Sequence, residues 1–405
     1  MKKISRTVWI LSFVSLFTDV ASEMLYPIMP IYLTSIGFSV VLIGLLEGIA
    51  EATTGLSKGY FGQLSDRSHK RTPFIQIGYA FSALSKPMMA MFVFPLWVFF
   101  ARAIDRLGKG IRTGARDAML SDESTPATKG QVFGFHRALD TLGAAIGPSM
   151  ALLYLYFYPG NYRMLFLIAF IPGLLALGTS LFLKDKKRPA EKPVAKPVTF
   201  FSFFTYWKQS PSGYKKAVIG LLFFSLFNSS DVFLLLKVKE SVNDDALVIG
   251  VYIFYNLIYA LFAYPLGIIA DKVGLKTILL TGFTLFALMY AGMSVTNELY
   301  LFFGLFVLYG MYAAATEGVA KAWISNMVSS RDTATAIGTF AGFQSVCMML
   351  SSSLAGIIWY RFGSSVALLV PALASMIVII YFLLIGRIKT HETVPIPVPD
   401  PKSGI

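Results

Sequence analysis

The chain alternates long apolar runs with short polar connectors along nearly its whole length. Most runs reach the roughly 20 residues that a helix rising 1.5 Å per residue needs to cross a hydrocarbon core of about 30 Å. The run from Val366 to Ile385 is apolar on almost every face, which suits a membrane helix and not the ten-residue dyad alternation of a barrel strand. The pattern predicts an all-α membrane protein with twelve transmembrane helices, over 7–34, 39–61, 73–94, 96–118, 128–158, 163–184, 216–238, 246–269, 276–296, 299–327, 332–360 and 364–387. Met1-Lys2-Lys3 leads into the first run, which has no small-residue cleavage site, so that run is expected to stay as helix one.

Polar punctuation divides the chain. A basic, proline-containing stretch opening with Lys184-Asp185-Lys186-Lys187-Arg188-Pro189 separates the sixth run from the seventh. The expected units are a six-helix bundle over 1–184, a cytoplasmic linker over 185–215, a second bundle over 216–387 and a disordered tail over 388–405. Composition agrees: 56% of the 405 residues are hydrophobic and 14% charged, against roughly 25% charged in a soluble domain.

The formal charge of +13 is of the size that marks a nucleic-acid binder in a soluble chain, but its placement argues for a membrane instead. Lys and Arg gather in every second connector: Lys2, Lys3 and Arg6; Arg67, Lys70 and Arg71; Lys184 to Lys196; Lys272 and Lys276; Arg387 and Lys389. This positive-inside pattern predicts cytoplasmic termini and an even helix count. One cysteine, Cys347, excludes an intrachain disulfide and reads as a small buried hydrophobe.

Gly62-Gln63-Leu64-Ser65-Asp66-Arg67 after the second run returns as Gly267-Ile268-Ile269-Ala270-Asp271-Lys272 after the eighth, about half the chain away. Ser15-Leu16-Phe17 returns as Ser225-Leu226-Phe227, and Phe133-Gly134-Phe135-His136 as Ala341-Gly342-Phe343-Gln344. Together these indicate two parallel six-helix repeats with a site at the midplane between them. The connector Gly62 to Arg71 resembles the major facilitator superfamily signature between helices two and three, with its weaker copy at Gly267 to Lys276. Gly143-x-x-x-Gly147-Pro148 resembles the fifth-helix signature of proton-coupled antiporters in that superfamily, and Arg106-x-x-x-Gly110 its fourth-helix arginine motif. Asp19-Val20-Ala21-Ser22-Glu23 with Asp105 to Arg112 resembles a bacterial subgroup mostly of unassigned substrate. The resemblance implies two pseudo-symmetric bundles that rock around a central cavity. His69 departs from it, standing where the family usually has Gly.

Ionisable groups inside a bilayer cost several kcal/mol unless paired or hydrated, so their positions carry functional information. Asp19 and Glu23 share one helix face, as do Glu47 and Glu51. Counting along the runs puts Asp19, Glu51, Lys86, Arg106 and Asp140 each about 15–20 Å deep. Glu23, Glu47 and Arg102 fall nearer the outer face, and His136 and Arg137 nearer the cytoplasm. The fourth run carries Arg102, Asp105, Arg106, Lys109, Arg112 and Arg116 as one polar stripe, expected to line a wet cavity or to pair with Asp19, Glu23, Glu47, Glu51 and Asp140. A permanent ion-pair lattice is the plainer alternative.

Asp19 and Glu23, then Glu51 and Asp140, are the expected proton-coupling groups, since a carboxylate changes proton affinity when a cation approaches or water leaves. Glu47, Lys86, Arg102, Arg106, His136, Arg137, Asn228, Asp231, Tyr255, Glu317 and Gln344 are expected to line the cavity, with Glu317 and Lys321 forming a local pair. Asp66, Arg67 and Arg71 are expected to form a gate with Asp117 or the end of the fourth run, with Gly62, Gly267 and Asp271 as its structural parts. The fifth-run Gly143, Gly147 and Pro148 join the gate through the resemblance.

The leading expectation is a proton-coupled secondary transporter of a small organic solute, tilted toward efflux by antiport, monomeric and in a bacterial inner membrane. Import of an anionic metabolite or metal chelate such as a siderophore is the alternative, on Arg102, Arg106 and Arg137. A sensor or scaffold on the same fold is the reading from another class. No nucleotide loop or His-x-x-x-His pair stands out, and the polar connectors are too short for a catalytic domain, so no enzyme activity, cofactor, metal or nucleic-acid partner is expected.

Overall fold

The computed structural model describes residues 3–26, 28–38, 40–185, 203–242 and 244–385, and every regular element among them is an α-helix. In chain order these are α1 (Arg6–Glu23), α2 (Met29–Ser35), α3 (Val40–Ser68), α4 (Thr72–Met91), α5 (Pro95–Asp122), α6 (Lys129–Phe157), α7 (Tyr162–Ser180), α8 (Phe203–Gln209), α9 (Ser212–Ser225), α10 (Val232–Val242), α11 (Asp245–Val273), α12 (Leu275–Val295), α13 (Leu299–Ser325) and α14 (Thr333–Leu384). Six of them are by themselves long and apolar enough to cross a membrane. The predicted twelve crossings emerge once α1 with α2, and α9 with α10, each count as one span, α14 counts as two and the seven-residue α8 is left out. Within α14 the helix is interrupted at Gly363, whose φ of 85° and ψ of 170° need a residue without a Cβ.

Two predicted spans are therefore not continuous. The first stops at Glu23 and resumes at Met29, around a sequence proline that offers no N–H to the ladder. The seventh stops at Ser225 and resumes at Val232. Asn228-Ser229-Ser230-Asp231 fills that gap with side chains that compete for backbone hydrogen bonds. The freed Ser230 N–H donates to Ser352 Oγ of α14 at 3.1 Å. Each half thus begins with a broken span, the second break falling at the repeated Ser-Leu-Phe and the first about two turns beyond it. The short helix α8 lies inside the stretch expected as linker; 186–202 and the tail from 386 lie outside the described residues.

Within the first half α4 packs on α5 and α7, α1 on α6 and α7, and α3 on α5. In the second half α13 lies between α11 and α12, and α14 packs on α12 and α9. The halves meet along two helix pairs, α6 with α11 and α3 with α14. Leu153, Ile171, Leu261, Leu288, Ile357 and Leu373 are exposed on the outside of the bundle, where lipid replaces water. Tyr79, Phe133, Tyr214, Phe283, Phe286 and Phe306 are buried within it.

Because the crossings are even in number, the chain returns to the face on which it starts, here termed the terminal face. Glycine permits the halves to touch there. A Cβ on Gly62 would stand 2.5 Å from the Ala334 carbonyl oxygen, and one on Gly134 at 2.5 Å from that of Ala263. Real Cβ atoms do not approach so closely.

Candidate functional site

Two carboxylates fasten the halves at the terminal face, and they do so in the same way. Asp271, near the end of α11, accepts the Gly130 and Gln131 N–H groups at the start of α6, both at 2.7 Å. Asp66, near the end of α3, accepts the Thr335 N–H at 2.6 Å and its hydroxyl at 2.7 Å, at the start of α14. The first turn of a helix leaves its N–H groups without internal partners and carries the positive pole of the dipole, so each repeat's aspartate satisfies a helix of the other half. Arg71 pairs with Asp66 at 2.5 Å and approaches Asp122 at 3.8 Å. Lys129 Nζ adds a bond to the Ser325 carbonyl at 2.7 Å. Arg67 is partly exposed at the end of α3. His69 takes the left-handed conformation, φ 51°, so the turn keeps its shape without the glycine.

Asp117 belongs elsewhere. Buried on α5, it takes Arg116 at 2.9 Å and Lys321 of α13 at 2.8 Å, not the α3–α4 connector expected to meet it. Lys321 thus reaches across the interface, and so does Glu317, which pairs with Arg137 of α6. Each half of the expected local Glu317–Lys321 pair finds its partner in the other bundle.

Arg137 is the hub. Its Nη1 holds Asp140 Oδ2 at 2.5 Å, its Nε donates to the Tyr259 hydroxyl of α11 at 2.5 Å, and its remaining amino group meets Glu317. Asp140 also accepts the Ser15 hydroxyl at 2.5 Å, and Arg116 reaches the same Ser15 at 3.2 Å. Asp19, one turn along α1 from Ser15, lies within electrostatic reach of Asp140, Glu23, Lys109 and Arg137. His136 is buried beside Ser12, with 3.5 Å between Ser12 Oγ and Nδ1, and lines a small cavity with Arg116, Asp117, Arg137, Glu317 and Lys321. Sequence reasoning assigned no role to Ser12, Ser15, Thr335 or Lys129. Hydroxyls in apolar helices carry no pattern that marks them, although Ser15 belongs to the repeated Ser-Leu-Phe.

The α5 stripe divides between lattice and cavity. Asp105 pairs with Lys86 of α4 at 2.7 Å and Arg102 at 3.9 Å, and Lys86 also donates to Ser22 at 3.3 Å. Arg112 lies over the Tyr79 ring and donates to Ser82 at 2.5 Å. For Lys86 and Arg102 the partner carboxylate is thus Asp105 on α5 itself. Arg106 is buried, within reach of Glu23. Lys109 is exposed although it stands mid-helix, and it acts on both Asp19 and Glu23. Glu47 and Glu51 lie on α3, and their side chains fall outside the described residues.

On the other side Asp231 fills the break between α9 and α10. Its Oδ2 accepts Tyr255 OH at 2.6 Å and its Oδ1 accepts Tyr309 OH at 2.5 Å. Asn228 Nδ2 donates to Tyr312 OH at 3.1 Å. Tyr252 of α11 donates to Glu23 of the first half at 3.0 Å. Gln344 is partly exposed on α14. Gly143 and Gly147 face inward within their own half: a Cβ on Gly143 would meet the Leu16 carbonyl oxygen at 2.5 Å, and one on Gly147 the Val20 carbonyl oxygen at 2.7 Å. Together with Pro148 they seat α6 against α1 beside Asp19 and Glu23. Among the described residues no group of three His, Cys, Asp or Glu is arranged to hold a metal ion.

Comparison with known proteins accords with this architecture. The family model described as Major Facilitator Superfamily matches residues 11–253 and 217–404. An uncharacterized MFS-type transporter of Methanocaldococcus jannaschii is 32% identical over 381 residues, covering 91% of this chain and 94% of that protein. An uncharacterized protein of Mycobacterium tuberculosis is 26% identical over 394 residues, 93% of this chain and 92% of its own. The human organic anion transporter MFSD10 superposes with a TM-score of 0.76 at 15% identity, covering 94% of this chain and all of that one. The Escherichia coli fucose:proton symporter FucP does so with a TM-score of 0.73 at 10% identity, over 94% and 98%. With a family match along the chain and a relative aligned over nearly its full length, the protein belongs to the major facilitator superfamily and is a membrane-embedded secondary transporter.

Proposed function

We propose that this protein exchanges protons for a small organic solute by alternating access, in the direction of export, in a bacterial inner membrane with its terminal face cytoplasmic. The observation that carries the coupling is the Arg137 hub. One guanidinium holds Asp140 at 2.5 Å, beside Asp19 in the same half, and Glu317 in the other half. Rocking the halves apart at the terminal face removes Glu317 and Tyr259 from Arg137, so the arginine's whole charge falls to Asp140 and Asp19. A carboxylate whose cationic partner changes with conformation changes its proton affinity with it. FucP, of the same fold, is named as a proton symporter, which supports the coupling ion.

The sealed terminal face and the solvent access of Asp19, Glu23, Lys109 and Asp231 support a cavity open to the opposite face. MFSD10 is named for organic anions. In this chain the accessible Lys109 already faces Asp19 and Glu23, which favours internal neutralisation over anion capture. The second-half Tyr and Asn groups would meet the solute, and the site works in one chain.

The test is purified protein in proteoliposomes with an internal pH dye. An imposed inward proton gradient is expected to drive solute out, with proton entry that Asp19→Asn and Asp140→Asn each reduce at least tenfold. Solute flux at wild-type rate with no proton movement would overturn the coupling.

A further inference from the structure

We propose that the tyrosine-walled pocket around Asp231 binds an organic cation, a protonated amine or quaternary ammonium group. This names the solute class of the transporter proposed above, and it rests on that reading for the step from binding to transport.

Asp231 is a carboxylate set in a helix break at membrane depth. Tyr255 begins from the far end of α11 and Tyr309 from the far end of α13, each about ten residues in, or roughly 15 Å at 1.5 Å per residue. Both phenols donate to Asp231, one to each oxygen. Two such donors orient the carboxylate and fix its plane. Among the described residues no cation forms an ion pair with it. Lys237, farther along α10, is committed to Asn297 at 2.8 Å and to Ser364 at 3.4 Å. Lys109 faces Asp19 and Glu23 in the other half. A membrane-buried anion without a counter-ion is costly, and a cationic ligand supplies the missing charge.

The walls suit the same ligand. Ring centroids of Tyr252 and Tyr255 lie 5.4 Å apart, of Tyr255 and Tyr309 5.2 Å, and of Tyr309 and Tyr312 5.4 Å, so the four rings form one continuous surface. The Tyr252, Tyr255 and Tyr309 hydroxyls are spent on Glu23 and Asp231. What the rings have left to offer is their negative faces, which attract a cation. Asn228 adds a buried carbonyl oxygen with no hydrogen-bond partner, an acceptor waiting for an N–H. The C-terminal end of α9, the negative pole of that half-helix, ends at the same break. Asp231 and Asn228 keep partial solvent access while Tyr255, Tyr309 and Tyr312 are buried, so the cluster is reached from its Asp231 and Asn228 side. An anion would meet Asp231 and find the hydroxyl donors already in use.

The experiment uses the full chain in lipid nanodiscs and three probes of one size: benzyltrimethylammonium, its neutral isostere neopentylbenzene, and phenylacetate. Calorimetry is expected to show binding of the cation alone. Asp231→Asn should weaken it at least tenfold with the melting temperature retained, Tyr255→Leu should weaken it similarly, and Tyr309→Phe, which keeps the ring, only a few-fold. Equal binding of the neutral isostere, preference for phenylacetate, or unchanged affinity in both Asp231→Asn and Tyr255→Leu would overturn the proposal. Should Asp231→Asn fail to fold, Tyr255→Leu and the charge series decide it. Flux in proteoliposomes separates the two readings. Asp231-dependent cation binding without proton-linked flux leaves the pocket assignment standing and removes the exchange reaction. Proton-linked flux of a neutral or anionic solute, with no cation bound, does the reverse.

Discussion

Arg137 of α6 forms an ion pair with Glu317 of α13, across the interface between the two halves and one turn from Asp140. Glu317 is 47% exposed at its side chain, so solvent screens the pair and its contribution is about 0.5–1 kcal/mol. Glu317→Gln is therefore expected to shift the balance toward opening at the terminal face by roughly two- to fivefold. Spin labels at the exposed Ser68 and Ser330 would read this as a longer-distance population; an unchanged distance distribution would count against the pair as a latch.

The two aspartate latches should both oppose opening and add, although Asp66 also holds the buried Arg71 of its own half. Each carboxylate neutralises a helix N-terminus and accepts two hydrogen bonds, worth about 1–2 kcal/mol once its charge is removed. Asp66→Asn and Asp271→Asn are each expected to raise the open fraction by about tenfold, and the double variant by the product, since the sites share no partner. The same label pair tests it. A double variant no more open than either single one would show that one latch suffices.

Glycine contacts between halves and within a half should fail differently. Gly62→Ala drives a methyl into the Ala334 carbonyl of the other bundle, a clash that rocking relieves, so the protein should fold, keep its melting temperature within a few degrees and lose terminal-face closure. Gly143→Ala meets the Leu16 carbonyl of the same bundle, where no rocking helps. It is expected to destabilise by about 1–3 kcal/mol, seen as a lower melting temperature in detergent. Equal melting temperatures for the two variants would contradict the distinction.

His69 sits at φ 51°, a conformation that costs an L-residue about 1 kcal/mol and glycine almost nothing. His69→Gly is expected to raise stability by about 0.5–1 kcal/mol, less the entropy that glycine adds to the unfolded chain. Thermal unfolding monitored by tryptophan fluorescence would show a rise, whereas a fall would mean that the imidazole itself holds the turn.

Lys86 and Asp105 form a buried pair at 2.7 Å. Removing one partner strands the other charge, at a cost of about 3–5 kcal/mol, whereas replacing both with apolar residues is close to neutral. Asp105→Leu should thus express poorly and Lys86→Met with Asp105→Leu recover the folded yield. Gel filtration of a fluorescent fusion measures both, and no recovery in the double variant would give these residues a role beyond pairing.

The number of crossings and the paired Gly-x-x-x-Asp connectors were legible in the linear chain, because hydropathy and repetition are local properties that lipid enforces without reference to neighbours. Asp19, Asp140, Arg137 and Asp231 were conspicuous as ionic groups too, since a charge in an apolar run stands out wherever it points. Their partners were not. Glu317 and Lys321 share a helix face, yet each bonds across the interface. Asp105 takes Lys86, and Asp117 takes Lys321. The break at Asn228 to Asp231 escaped the apolar count because a few polar residues scarcely lower the hydropathy of a long run, while the backbone there depends on Ser352 of a distant helix. Helix existence follows from the residues of one segment and the solvent around it. Which charge meets which is set by the packing of segments far apart in sequence, and only the tertiary structure decides it.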